Sequence, residues 1–147
     1  MRPQMQPPLR QPIGFWAIRA GEAIRARTRS RLAEVGVTQH EWWVLQQLSS
    51  HPAGIDERTL VATIGPNDTD EAIVEAIDAA VDKGWATRRQ ASVSATSAGN
   101  ERFVAAADAQ NELGVERRQG ISDEEYEIAI TVLQRTIANV GGDAWHW

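Results

Sequence analysis

The chain has 147 residues and a mass of 16.2 kDa, enough for one domain with a sizeable core. It has no cysteine, which excludes disulfides, thiolate nucleophiles and cysteine-based zinc sites together and fits a reducing cytoplasm. The net charge of −5 is unevenly spread: residues 1–35 hold seven Arg and two acids, residues 36–87 two basic residues and nine acids, and residues 88–147 six Arg and nine acids.

Residues 1–11 carry Pro3, Pro7 and Pro8 among Gln and Arg and are expected to form an extended, mobile arm. The first residues contain no apolar segment of signal-peptide type, and no run approaches the roughly 18 apolar residues that span a bilayer, so neither secretion nor a membrane is expected. Pro12 suits the first position of a helix. Ile13, Trp16, Ala17, Ala20 and Ile24 follow at helical spacing, with Arg19, Arg25, Arg27, Arg29 and Arg31 expected on the other face. Gly36 closes this helix. Thr38 and Glu41 form a capping box for a second helix, whose apolar stripe is Trp42, Leu45 and Leu48. His51-Pro52-Ala53-Gly54 ends it. Asp56 caps a short third helix carrying Leu60, Val61 and Ile64. After the Gly65-Pro66 turn, Asn67 or Asp68 caps a fourth, with Ile73, Ile77, Ala80 and Val81 inward and Gly84 at its end.

The pattern then changes. Residues 85–89 and 91–94 read as two short strands with little room between them. Thr96-Ser97-Ala98-Gly99 leads into a helix with Phe103, Val104 and Ala107 on its apolar face, ended by the charged stretch 116–120. Ser122 and Glu125 form a second capping box, and Tyr126, Ala129, Val132, Leu133 and Ile137 form the apolar face of the last helix. Gly141-Gly142 ends it, and residues 141–147 form a tail with Trp145 and Trp147. Helix, helix, turn, helix, strand hairpin is the order of a winged helix-turn-helix, with extra helices at both ends. The fold class expected is mainly α, a winged helix-turn-helix with a small β-wing and N- and C-terminal helices whose exposed apolar stripes pack together within or between chains.

Four stretches carry a resemblance to the multiple antibiotic resistance regulator (MarR) family. They are Val37-Thr38-Gln39-His40-Glu41-Trp42-Trp43-Val44-Leu45, Asp82-Lys83-Gly84-Trp85-Ala86-Thr87-Arg88-Arg89, Thr96-Ser97-Ala98-Gly99 and Ile121-Ser122-Asp123-Glu124-Glu125. Their order and spacing cover residues 12–140. The resemblance implies one domain over that range, with residues 12–35 and 97–140 as dimerisation helices and residues 37–95 as the winged helix-turn-helix. It further implies a homodimer that grips a palindromic duplex DNA site and responds to a small aromatic acid or phenol. Ile13, Trp16, Ala20, Val132 and Ile137 fall on the implied dimer interface.

Two features depart from the family pattern. The helix matched to the recognition helix turns Asp70, Glu71, Val74, Glu75 and Asp78 outward, with no Arg or Lys before Lys83. Affinity for DNA rests largely on cations that displace counterions, and base readout mostly on Arg, Lys, Asn and Gln. The wing is also cut short, with six residues between Arg89 and Thr96. The residues left to contact DNA are Arg58, Thr69, Glu71, Glu75, Arg88 and Arg89. Trp16, His40 and Trp43 are candidate walls for a flat aromatic ligand. His40, His51 and His146 have no metal-binding spacing and no glycine-rich phosphate loop precedes a helix, so no metal, cofactor or catalytic residues are expected. The second reading is a winged-helix dimer that has lost DNA binding and acts as a small-molecule- or protein-binding module.

Overall fold

The computed structural model describes residues 4–144, and Pro3, Trp145, His146 and Trp147 lie outside them. The elements are α1 (Ile13–Glu34), α2 (Gln39–Ser50), β1 (Ile55–Asp56), α3 (Glu57–Ile64), α4 (Asp70–Asp82), β2 (Ala86–Arg89), β3 (Ser92–Ala95), α5 (Ser97–Arg118) and α6 (Asp123–Asn139). The three strands form one antiparallel sheet in the order β1-β3-β2. The chain divides into two compact units, residues 1–113 and 114–147. No helix among the described residues is long and apolar enough to cross a membrane.

The first unit is built on one core. Val44, Leu45 and Leu48 of α2, Leu60 and Ile64 of α3, and Ile73, Ala76, Ile77 and Ala80 of α4 join Val93 of β3 and Ala106 and Ala109 of α5. The helix starts follow local chemistry. Thr38 Oγ1 accepts from the Glu41 N–H at 3.1 Å while the Glu41 carboxylate accepts from the Thr38 N–H at 3.3 Å, so both halves of the capping box are present. Asp56 caps α3 by accepting from the Thr59 N–H at 3.1 Å. Gly36 and Gly84 take left-handed φ values of 73° and 74° after α1 and α4, the conformation that lets glycine end a helix.

Several expectations are corrected. Pro12 is the N-cap of α1 and not its first residue. The arm is not extended throughout, because Pro8–Arg10 makes a 3-10 turn. The α1 arginines do not share a face: at 3.6 residues per turn they step around the helix, and Arg31 turns back to Glu112, at 2.7 Å. Trp42 is half-buried, stacked on Phe103 with ring centroids 5.6 Å apart, while Val44 takes the core position beside Leu45. The cap of α4 is Thr69, whose hydroxyl accepts from the Ala72 N–H at 3.1 Å. The wing strands begin one residue later than expected, and a third strand, β1, pairs with β3 through Ile55↔Val93 and Asp56↔Ser92. On α5 the buried positions are Gly99, Ala106, Ala109 and Leu113; Val104 is exposed, and Phe103 and Ala107 are half-buried.

The second unit contains the end of α5 and α6. Ser122 and Glu125 form the expected capping box, and Arg118 bonds Asp123 at 2.6 Å. The apolar face of α6 is left open in the single chain: the helix has no buried residue, and Tyr126, Val132 and Ile137 on that face are exposed.

Candidate nucleic-acid interface

The α3–turn–α4 segment and the β2–β3 hairpin form the outward side of the helix-turn-helix. The core holds α4 by Ile73, Ala76, Ile77 and Ala80. The 3.6-residue period therefore turns Asp70, Glu71, Val74, Glu75 and Asp78 outward, and all five are exposed, as the sequence pattern predicts. Thr69 is exposed at the helix start, its hydroxyl engaged as the cap. The hairpin turn is two residues, Gln90-Ala91, between the paired Arg89 and Ser92. Gln90 holds a left-handed φ of 56°, which matches the twist of a two-residue turn.

Cations close to α4 in the chain are engaged by contacts within the protein. Lys83, after α4, donates to both oxygens of Glu41, at 2.9 and 2.6 Å. Its ammonium also lies 4.7 Å from the centroid of the Trp85 ring. Arg102 of α5 stands 5.4 Å from the same ring and donates to the Val35 carbonyl at 2.6 Å. These contacts link the ends of α1 and α4 to the start of α2. Glu41 is only 3% exposed, so replacing Lys83 by methionine leaves a buried carboxylate with only its capping bond. Lys83 itself is partly solvated, which discounts the loss to about 2 kcal/mol. Urea unfolding of Lys83→Met checks this; an unchanged midpoint would contradict it.

Arg88 is held still more firmly. Its Nε and Nη2 donate to the two oxygens of Glu57 on α3, at 3.1 and 2.8 Å, and Nη2 also donates to Asp78 on α4, at 2.5 Å. These bonds, Glu57 first and Asp78 second, hold the guanidinium pKa above its ordinary value. Arg58 and Arg89 are exposed and make no ion pair among the described residues. Asp56, Ser92 and Arg89 lie in one row across the three strands, and the Glu57 N–H donates to the Ala91 carbonyl in the turn at 2.8 Å, which ties the start of α3 to the wing.

Of the ligand candidates, the structure brings His40 and Trp43 together, edge to face with centroids 5.2 Å apart. His40 Nε2 meets Asp68 Oδ2 at 2.7 Å. Trp16 lies on α1 against Phe15 at 5.2 Å and has no ring contact with either. The dimer candidates Ile13, Trp16 and Ala20 on α1, and Val132 and Ile137 on α6, are all exposed. Sequence reasoning missed Glu57, Asp78, Lys83 and Asp68 as charge partners; only an excess of acids near few cations hinted at such pairing.

No family model matches the chain, and no curated protein sequence matches it. Solved structures do. A MarR family transcriptional regulator from Silicibacter pomeroyi matches with a TM-score of 0.73 at 19% identity, over 87% of this chain and 92% of that one. The fold is that of the MarR regulators. CouR from Rhodococcus jostii RHA1, bound to p-coumaroyl-CoA, shares the MarR fold with this chain at a TM-score of 0.71 and 22% identity, over 88% and 94% of the two chains. A MarR family protein of Mycobacterium tuberculosis in complex with DNA matches at 0.66 and 19%, over 90% and 99%. In the terms of the MarR fold, α3 and α4 are the helix-turn-helix, β2 and β3 are the wing, and α1, α5 and α6 are the flanking helices.

Proposed function

We propose that the protein is a homodimeric, cytoplasmic regulator of the MarR type that engages duplex DNA through α3, α4 and the wing. The observation that carries this reading is the helix-turn-helix followed by a short wing, with Arg58 and Arg89 exposed and, among the described residues, in no ion pair. The DNA-bound mycobacterial structure of the same fold supports it. In this reading Arg58 and Arg89 contact phosphates, and Thr69, Glu71 and Glu75 face the major groove. A glutamate there accepts from the cytosine N4 amino group. Arg88 is the remaining wing cation, and Glu57 and Asp78 hold it. The exposed α1 and α6 positions pair the two copies. His40 and Trp43, with Trp16 as a further candidate, offer apolar walls and a polar group to a flat aromatic acid. A Mycobacterium tuberculosis MarR family protein of the same fold, in complex with salicylic acid, supports that ligand class.

A second reading is favoured by the exposed carboxylates of α4: a winged-helix dimer that does not read DNA and binds a small molecule or a protein. Fluorescence anisotropy of labelled duplex from the protein's own promoter region, titrated at several salt concentrations, separates the two. Two phosphate contacts in each protomer predict a slope of log affinity against log salt of about −4 for the dimer. No binding at the lowest salt would leave the second reading.

A further inference from the structure

We propose that Glu57 and Asp78 act as an internal lock that withholds the wing arginine Arg88 from the DNA backbone, so that the protein carries a built-in brake on its own duplex affinity. The inference rests on the reading that the wing side of the helix-turn-helix meets duplex DNA.

The geometry is specific. Arg88 is the middle of three charges drawn from three elements, β2, α3 and α4. Its planar fork is matched by the two oxygens of Glu57, and the same Nη2 that reaches Glu57 also reaches Asp78. A guanidinium satisfied this way has few donors left for a phosphate. The cluster holds two carboxylates against one guanidinium, so it presents a net negative charge where a wing otherwise offers a positive one. Neighbouring Arg89 has no such partners among the described residues, although it is the next residue on the same strand. The alternation of side chains along a strand explains the difference: Arg88 and Arg89 point to opposite faces of the sheet, and only the face of Arg88 meets Glu57 and Asp78.

Neutralising the two carboxylates removes the charge-assisted part of the hold on Arg88, since amide oxygens in their place bind a guanidinium far more weakly. The Glu57→Gln/Asp78→Asn double variant keeps the side-chain sizes and removes both charges. Salt-dependent anisotropy on one labelled duplex is measured for wild type, for the double variant, and for the double variant with Arg88→Ala added. Asp82→Asn, an exposed α4 acid that makes no contact with Arg88, reports the general effect of removing a negative charge. The double variant is expected to bind about tenfold more tightly at the lowest salt. Its salt slope is expected to steepen by about 2 for a dimer, one phosphate in each protomer. Adding Arg88→Ala is expected to remove the extra slope, and Asp82→Asn to leave the slope unchanged.

A double variant whose slope equals that of wild type, or whose gain survives Arg88→Ala, would overturn the lock while leaving DNA binding intact. Absence of binding across the whole series would overturn the DNA reading and the lock with it. Binding by the double variant alone would show a complete lock. Circular dichroism monitors folding. If the double variant unfolds, Asp78→Asn alone, which keeps the two-point Glu57 contact, is expected to give a smaller gain that Arg88→Ala again abolishes. No gain from it would overturn the proposal.

Discussion

Replacing Gly99 by alanine is expected to destabilise the protein by about 3 kcal/mol, the upper end of the usual cost of overpacking. Gly99 is buried in the first turn of α5, and a Cβ there would overlap the main-chain carbonyl of Trp85. A flexible side chain could swing aside, but this carbonyl cannot. It accepts from the Thr96 N–H at 3.0 Å, in a segment where the Thr96 hydroxyl donates to the Gly84 carbonyl at 2.6 Å and accepts from the Gly99 N–H at 3.0 Å. Thr96 thus ties the start of α5 to the end of α4, and Gly99 lets the helix pass over the strand that begins the wing. The comparison is Gly114→Ala in the same helix, where a Cβ meets nothing within 4 Å. That change is expected to stabilise by about 0.5–1 kcal/mol, the ordinary helix preference for alanine. Urea unfolding of the two variants checks both signs, and a Gly99→Ala midpoint within error of wild type would refute the close approach.

The Thr-x-x-Gly stretch was readable as a helix start, but the reason for its glycine was not. The same boundary recurs across the molecule. Capping boxes at Thr38–Glu41 and Ser122–Glu125 were legible because both partners lie within one turn, as was the Asp56 cap. The start of α4 was not, because Asn67, Asp68 and Thr69 are three consecutive residues able to cap. The choice fell to Thr69: the Asp68 N–H closes the 3-10 turn onto Gly65, and its carboxylate meets His40, which is 28 positions away in sequence. β1 was invisible for a similar reason, since two residues show no alternation and exist as a strand only through pairing with β3. On α5 the larger Phe103 and Val104 suggested the apolar stripe, whereas Gly99, Ala106 and Ala109, with Leu113 further along, fill the buried face. Close approach favours Ala106 and Ala109 there, as it favours Gly99.

For the candidate site, the outward acids of α4 were legible by elimination, because their orientation follows from helical period alone. The fate of the cations was not. Arg88 finds partners 31 and 10 positions away, and Lys83 finds one 42 positions away. No spacing rule reaches such pairs. The sequence therefore shows how few cations the α4 side has, and the structure shows that two of them are already engaged. The structure also separates Trp16 from the His40–Trp43 pair, which the sequence could only group by resemblance.

The protein is expected to be a dimer of twice 16.2 kDa in solution, and Trp16→Asp or Ile137→Asp is expected to weaken it at least 100-fold. In α1 only Thr28 and Leu32 of 22 residues are buried. In α6 none of 17 is, although Tyr126, Ile128, Ile130, Val132 and Ile137 are large and apolar. An isolated helix of that length is marginal in water, and apolar exposure on this scale marks an association surface. Placing an unpaired carboxylate in such a surface costs several kcal/mol, and about 2.8 kcal/mol is already a factor of 100 in affinity. Light scattering against concentration reads the mass, and circular dichroism reads whether the separated chains keep their helices. A wild type that stays at 16.2 kDa at high concentration would refute the interface. The dimer also doubles the number of phosphate contacts, so a folded monomeric variant should halve the salt slope of duplex binding, to about −2. Loss of dimerisation with an unchanged slope would mean that one wing alone carries the contact with DNA.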